Sequence, residues 1–354
     1  MSSALLQTLY PWTKSPLIAC APMLNIALPA LAVSVSAAGG LGFLAAGYDV
    51  SSLDRNLEEA ARLVTQPTCS LRHTYQERGV LPLGVGFLNW GADLERSLAA
   101  IEKYKPCAVW LFGPKSQPHD LVPWAERVRA VAPGKTQIWV QVGTVGEAVA
   151  VAGALRPDVL VVQGSDAGGH GLARSASIVT LLPEVRDALQ DRQMGDIPLL
   201  AAGGIVDGRG IAASRALGAS GAVMGTRFLA SPEANIAQGY RAEILRAADG
   251  GVSTVRSTVY DRVRGIYGWP ERYDGRGVIN QSYVDAVERG MSDEENRARY
   301  ESELQKGDLG WGPSGRLTTY AGTGVGLVRE TIPAGEIVQK YRQEAMDIIQ
   351  RLAK

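Results

Sequence analysis

The stretch VVQGSDAGGHGLARS, Val161–Ser175, leaves an almost continuously apolar run, DVLVVQG (158–164), and breaks into Gly168, Gly169, His170 and Gly171. A short apolar run bounded by turn residues reads as a strand buried on both faces, the situation of a parallel sheet covered by helices. Seven more runs have the same character: LIACAPM (17–23), LGFLAA (41–46), LPLGVGF (81–87), AVWLFG (108–113), TQIWVQV (136–142), IPLLAAG (197–203) and GAVMGT (221–226). Between them lie SLDRNLEEAARLV, ADLERSLAAIEKY, PWAERVRAVA and VGEAVAVAGAL, whose apolar residues recur at three- and four-residue spacing, as amphipathic helices require. Eight strand–helix units predict an α/β fold, a closed (β/α)8 TIM barrel, because eight parallel strands close around an interior that side chains can fill.

The barrel occupies residues 1–250 on this reading. Residues 251–313 then turn polar and rich in Arg, Tyr and Gly (YDRVRGIYGWPERYDGRG), followed by the charged helical stretch SDEENRARYESELQK. That segment reads as an appended cap or small subdomain. Residues 314–354 return to the barrel through TTYAGTGVGLV and end in an amphipathic helix over about 333–352.

Charge narrows the function classes. Lys plus Arg and Asp plus Glu are both 36, and no basic cluster stands out, so neither nucleic acid nor an anionic membrane is an expected partner. Cys20, Cys69 and Cys107 have no metal-type spacing and cannot all pair, which suits free thiols in a reducing compartment. The start of the chain lacks a signal peptide's basic and apolar regions, and no run is long enough to span a bilayer. The expectation is a soluble cytoplasmic protein without a metal.

In a TIM barrel the chemistry sits where the strands end. After the seventh strand comes AAGGIVDGRG (201–210), and after the eighth MGTRF (224–228). Ala202, Gly203, Gly204, Gly225 and Thr226 thus form two loops whose backbone amides can approach a phosphate, with a following helix N-terminus adding partial positive charge. Pro22 and Met23 close the first strand, Asn89 follows the third, Gln141 ends the fifth and Gln163 the sixth. Each amide alone also reads as a satisfied loop residue; several at one mouth suit a flat heterocycle with alternating donors and acceptors. His170 lies among glycines that would clear room for a substrate, while His73 and His119 read as surface-loop residues. Asp166 could orient His170 or cap the turn, and Lys115 reads as a solvated loop lysine.

VVQGSDAGGHG, LLAAGGIVDGRGIAASRALGASGAVMGTRFLAS and the opening LIACAPML resemble the nitronate monooxygenase family across most of the first 235 residues, and TYAGTGVGLV resembles its last glycine-rich segment. The resemblance implies an FMN-dependent barrel that oxidises alkyl nitronates, or nitroalkanes, with O2 to a carbonyl compound and nitrite. It puts His170 of the AGGH motif beside the reactive face of the flavin, with Gly168, Gly169, Gly322 and Thr323 among the residues around the cofactor. The chain departs from the family pattern at Gly171 and Leu172, where many members have Arg after GGH, and at Thr323, where they have Gln in an AGQ triplet. Related flavin barrels reduce quinones or enoyl thioesters with NAD(P)H, and that activity is the alternative, with a non-catalytic flavin binder as a third reading.

Overall fold

In the computed structural model, which describes residues 2–353, all eight apolar runs are parallel strands of one barrel. They are β1 (Leu17–Cys20), β2 (Phe43–Gly47), β3 (Leu81–Leu88), β4 (Pro106–Phe112), β5 (Gln137–Val142), β6 (Val159–Gln163), β8 (Leu199–Ala202) and β9 (Gly221–Met224). Three strands outside the barrel, β7 (Gly169–Leu172), β10 (Thr254–Ser257) and β11 (Tyr273–Val278), had no apolar signature to predict them. Barrel strands pair with their sequence neighbours in order, and β9 returns to β1 in parallel. Closure between β1 and β2 comes through Leu41, whose N–H donates to Ile18 O at 2.9 Å and whose carbonyl accepts from Cys20 N at 3.0 Å.

Alternation along each strand explains why the runs read as continuously apolar. Leu17, Ala19, Phe43, Trp110, Trp139, Val161, Leu200 and Val223 point into the barrel and form one cluster. Ile18, Cys20, Val109, Leu111, Ile138, Val140 and Val162 point outward beneath the helices and belong to another. Both faces exclude water, so neither needs a polar residue. Three large rings fill the centre, with Phe43 lying 5.1 Å from Trp110 and 4.9 Å from Trp139 between ring centroids. Leu6, within the N-terminal helix (Ser2–Leu9), and Tyr10, just after it, plug the barrel beside Leu17, Val80 and Cys107, all at strand starts. There the Trp139 indole N–H donates to Tyr10 Oη at 2.7 Å. Burial pushes the Cys20 and Cys107 thiols well above their ordinary values, which keeps both protonated and unreactive.

Trp139 is fully buried, and its removal opens a void at the barrel axis and strands the Tyr10 hydroxyl. Trp139→Ala is expected to cost about 3–5 kcal/mol. Urea unfolding should show this as a lower midpoint at an unchanged slope; a shift worth less than about 1 kcal/mol would mean that the barrel centre collapses around the void.

The outer ring of helices follows the predicted segments, including Leu53–Val64, Leu94–Tyr104, Val122–Val131 and Val145–Leu155. The final helix, Ala334–Leu352, packs between helices Pro29–Ala37 and Gly208–Ala216 and so supplies the eighth position of the ring. Everything from about 230 to 333 is therefore inserted between the last barrel strand and its helix. Two histidines read as loop residues are helical instead. His73 lies in helix Arg72–Arg78, exposed beside Glu77, and His119 begins a short 3-10 turn. Among the described residues, no helix is long and apolar enough to cross a membrane.

Candidate active site

A cavity of about 450 Å³ opens at the carboxyl ends of the barrel strands. Among the described residues, no group of His, Cys, Asp or Glu side chains could hold a metal ion there or elsewhere. Of the residues singled out in the sequence, the walls contain Pro22 and Met23 after β1, Gln141 on β5 and Gln163 at the end of β6. They also contain Gly168, Gly169 and His170, then Ala202, Gly203 and Gly204 after β8, Gly225 and Thr226 after β9, and Gly322 from the returning chain.

Asn89 and Thr323 do not line this space. Asn89 Oδ1 accepts from Phe112 N at 2.8 Å and ties the end of β3 to β4, while its Nδ2 is buried without a partner. Thr323 Oγ1 donates to Asp166 Oδ1 at 2.9 Å, and its N–H donates to Asp166 O at 3.0 Å. Thr323 thus clamps the loop that precedes His170. Asp166 is engaged in that clamp and does not orient the imidazole.

Most glycines of GSDAGGHG make room for neighbouring protein atoms more than for a substrate. A Cβ on Gly168 would lie 2.3 Å from Ala321 C and Gly322 N, and one on Gly171 would lie 2.6 Å from Gln163 Oε1. Only Gly169, at φ +65°, faces open space. His170 itself is on strand β7, which pairs antiparallel with β11 so that His170 faces Gly275; the expected loop is a strand. Its partner residues come from a segment in which sequence reading singled out no site residue. His170 Nε2 lies 2.8 and 3.0 Å from the two Asp261 carboxylate oxygens. The Trp269 indole stacks on the imidazole at 3.9 Å with an interplanar angle of 7°. Tyr320 Oη donates to Asp261 Oδ1 at 3.0 Å, and burial together with the Asp261 charge pushes the Tyr320 phenol well up, so it remains a donor.

A carboxylate only accepts, so the proton between the pair sits on Nε2 when the imidazole is neutral. That leaves the lone pair on Nδ1, for which no protein partner occurs among the described residues. The unusual density of Arg, Tyr and Trp in YDRVRGIYGWPERYDGRG was the available signal for these residues, since such side chains recur at binding sites.

The strand-end loops bear on a cofactor. Gly203 (φ +108°) and Gly204 (φ +73°) turn in the left half of φ space, which only glycine adopts freely. The helix after Gly204 begins at Gly208, with Asp207 Oδ1 accepting from Arg209 N and Gly210 N, and the one after Gly225 has four residues. Any anion here meets glycine-loop amides. Deeper in the barrel, Gln141 Oε1 accepts from Trp110 Nε1 at 3.1 Å while its Nε2 is buried without a partner. A buried amide donor facing a cavity leaves a place for a ligand acceptor. The residues present fit a flat, polar cofactor with an anionic tail.

A barrel with its cavity at the strand ends is the arrangement of a TIM-barrel enzyme. A family profile for nitronate monooxygenase matches residues 8–77 and 119–344. The chain is 47% identical over 341 residues to a nitronate monooxygenase of Metarhizium robertsii, covering 96% of this chain and 93% of that protein. It is 37% identical to a nitronate monooxygenase of Neurospora crassa, covering 98% and 93%. The chain belongs to the nitronate monooxygenase family. Among solved structures, a nitroalkane oxidase from Streptomyces ansochromogenes superposes with a TM-score of 0.73 at 24% identity, covering 98% of this chain and 99% of that one. FabK from Thermotoga maritima superposes at 0.72 and 23%, covering 98% and 97%; at these identities the likeness concerns the fold.

Proposed function

We propose that this protein is an FMN-dependent nitronate monooxygenase that converts alkyl nitronates, and nitroalkanes after deprotonation, to a carbonyl compound and nitrite with O2. The observation that carries this reading is His170, held from behind by Asp261, in the same cavity as the glycine loops after β8 and β9. The amides around Gly203, Gly204, Gly225 and Thr226 would hold the phosphate. Met23, Gln141 and Gln163 would flank the ribityl chain and ring, with the unpaired Gln141 Nε2 donating to it. When bound, FMN supplies the electron acceptor for the nitronate and the route of those electrons to oxygen.

The chain's own chemistry is proton transfer and enclosure. Asp261 fixes the tautomer of His170, and Trp269 fixes its plane, so Nδ1 is the base for the α-proton of a neutral nitroalkane. Preformed nitronates need no such step. The segment 251–313 contributes Trp269, Tyr300 and Trp311 to the cavity wall, where they keep bulk water from the reacting groups.

Mixing the purified yellow protein anaerobically with ethylnitronate tests the reading: the flavin band should bleach and return with oxygen. A protein that carries no flavin, or whose flavin ignores nitronate and bleaches with NADPH, would overturn it in favour of a flavin-dependent reductase.

A further inference from the structure

The walls of the cavity carry one permanent charge among the described residues, the guanidinium of Arg264; no Asp, Glu or Lys lines it. Arg264 sits on the inserted segment two residues after the short helix Val259–Arg262 that presents Asp261. Its guanidinium lies over the Tyr320 ring, 5.6 Å from the centroid. Its strongest electrostatic interactions are with the Tyr320 and Tyr300 phenols, with a weaker one to Asp261. Asp261 is already engaged by His170 Nε2 and the Tyr320 hydroxyl. Among the described residues, no carboxylate comes within salt-bridge distance of Arg264, whereas Arg262, on the same turn, pairs with Asp293 at 3.3 Å. Arg264 is solvent-exposed where it borders the cavity, and a guanidinium without a carboxylate partner, on a cavity otherwise lined by neutral groups, is placed to receive an anion.

We propose that Arg264 is the substrate's anion-recognition residue, its planar fork holding the two oxygens of the nitro or nitronate group. This rests on the functional reading above and assigns the charge chemistry of the same site. With His170 Nε2 committed to Asp261, the two tasks divide between two residues: the imidazole moves the proton and the guanidinium meets the charge. On a preformed nitronate, the negative oxygens are present on arrival, so Arg264 contributes to binding. On a neutral nitroalkane, His170 Nδ1 takes the α-proton, the C–H electron pair becomes a C=N bond, and one N=O pair moves onto oxygen. Arg264 then meets charge that exists only as the proton leaves, so it contributes to turnover. A planar guanidinium matches two coplanar oxygens in a way that an ammonium does not.

The test compares wild type with Arg264→Met and Arg264→Lys, each checked for flavin content and melting temperature. For R264M, KM for ethylnitronate should rise about 10- to 100-fold with kcat little changed, the range for losing a hydrogen bond to a charged group. With nitroethane, kcat should fall by a similar factor while KM holds. Nitrite, titrated calorimetrically into the resting holoenzyme, should bind wild type and lose at least about tenfold in R264M, with R264K in between. Should R264M lose its fold, R264Q carries the same comparison. Nitrite affinity and nitronate KM within twofold of wild type in a folded variant would overturn the proposal, as would an equal loss on both substrates with expelled flavin, which marks a merely structural arginine. If wild type oxidises no nitronate, the functional reading fails; the nitrite titration still decides whether Arg264 recognises an anion.

Discussion

His170→Asn is expected to lower turnover of neutral nitroalkanes by about 10² to 10⁴, the usual range for removing a general base, and to lower turnover of preformed nitronates far less. Asparagine cannot accept a proton at neutral pH. Its amide ends short of the Nε2 position, so the buried Asp261 carboxylate keeps the Tyr320 hydroxyl as its donor, and the pairing of strand β7 with β11, made by backbone groups, is not disturbed. The stacking on Trp269 is lost, a change of about 0.5–1.5 kcal/mol that the barrel can tolerate. Oxygen uptake with nitroethane and with ethylnitronate, each corrected for flavin content, measures the two losses in one set of samples. An equal fall on both substrates would make His170 an anchor for the anion, and unchanged kinetics would make it structural.

How far the sequence carried differs between barrel and site, for a physical reason. Parallel strands such as β5 bury both faces, with Trp139 inside and Ile138 and Val140 outside, so each strand announces itself within seven residues. Strand ends are less clear: the first run reads through Met23, yet β1 stops at Cys20, because Ala21 and Pro22 stay apolar after the ladder ends. The strand β7, Gly-His-Gly-Leu, has no β-forming residues to reveal it. It exists because β11 lies about a hundred positions away in the chain and supplies its hydrogen bonds. Of the two roles open to Asp166, orienting His170 or capping the turn, the first falls to Asp261, 91 residues downstream of the imidazole, a contact that only the folded insertion makes. Asn89 divides its amide: its Oδ1 is spent on the backbone of β4, a contact that no residue-type argument reveals, while its buried Nδ2 has no partner.

Gly225→Asp should abolish tight FMN binding while leaving the fold intact. Gly225 has φ −110°, which any residue adopts, and a Cβ there would meet only Ala21 Cβ at 3.8 Å and Met23 Sδ at 4.0 Å, ordinary contact distances. A carboxylate on that Cβ would then extend into the space between the two glycine loops. One unit of like charge about 4 Å from a phosphate costs about 4 kcal/mol at the effective dielectric of such sites, roughly a 10³-fold loss of affinity. Gly204, by contrast, sits at φ +73° with Asp166 Cβ 3.1 Å from a built Cβ, so any substitution there mixes backbone strain with charge. Reconstituting the apo-protein with FMN and, separately, with riboflavin isolates the phosphate. FMN affinity should fall about 10³-fold and riboflavin affinity much less, with the far-ultraviolet spectrum and melting temperature of the apo-protein unchanged. Equal losses for both ligands would mean that the ring, not the phosphate, lies against Gly225, and full flavin on the purified variant would remove the cradle from this end of the barrel.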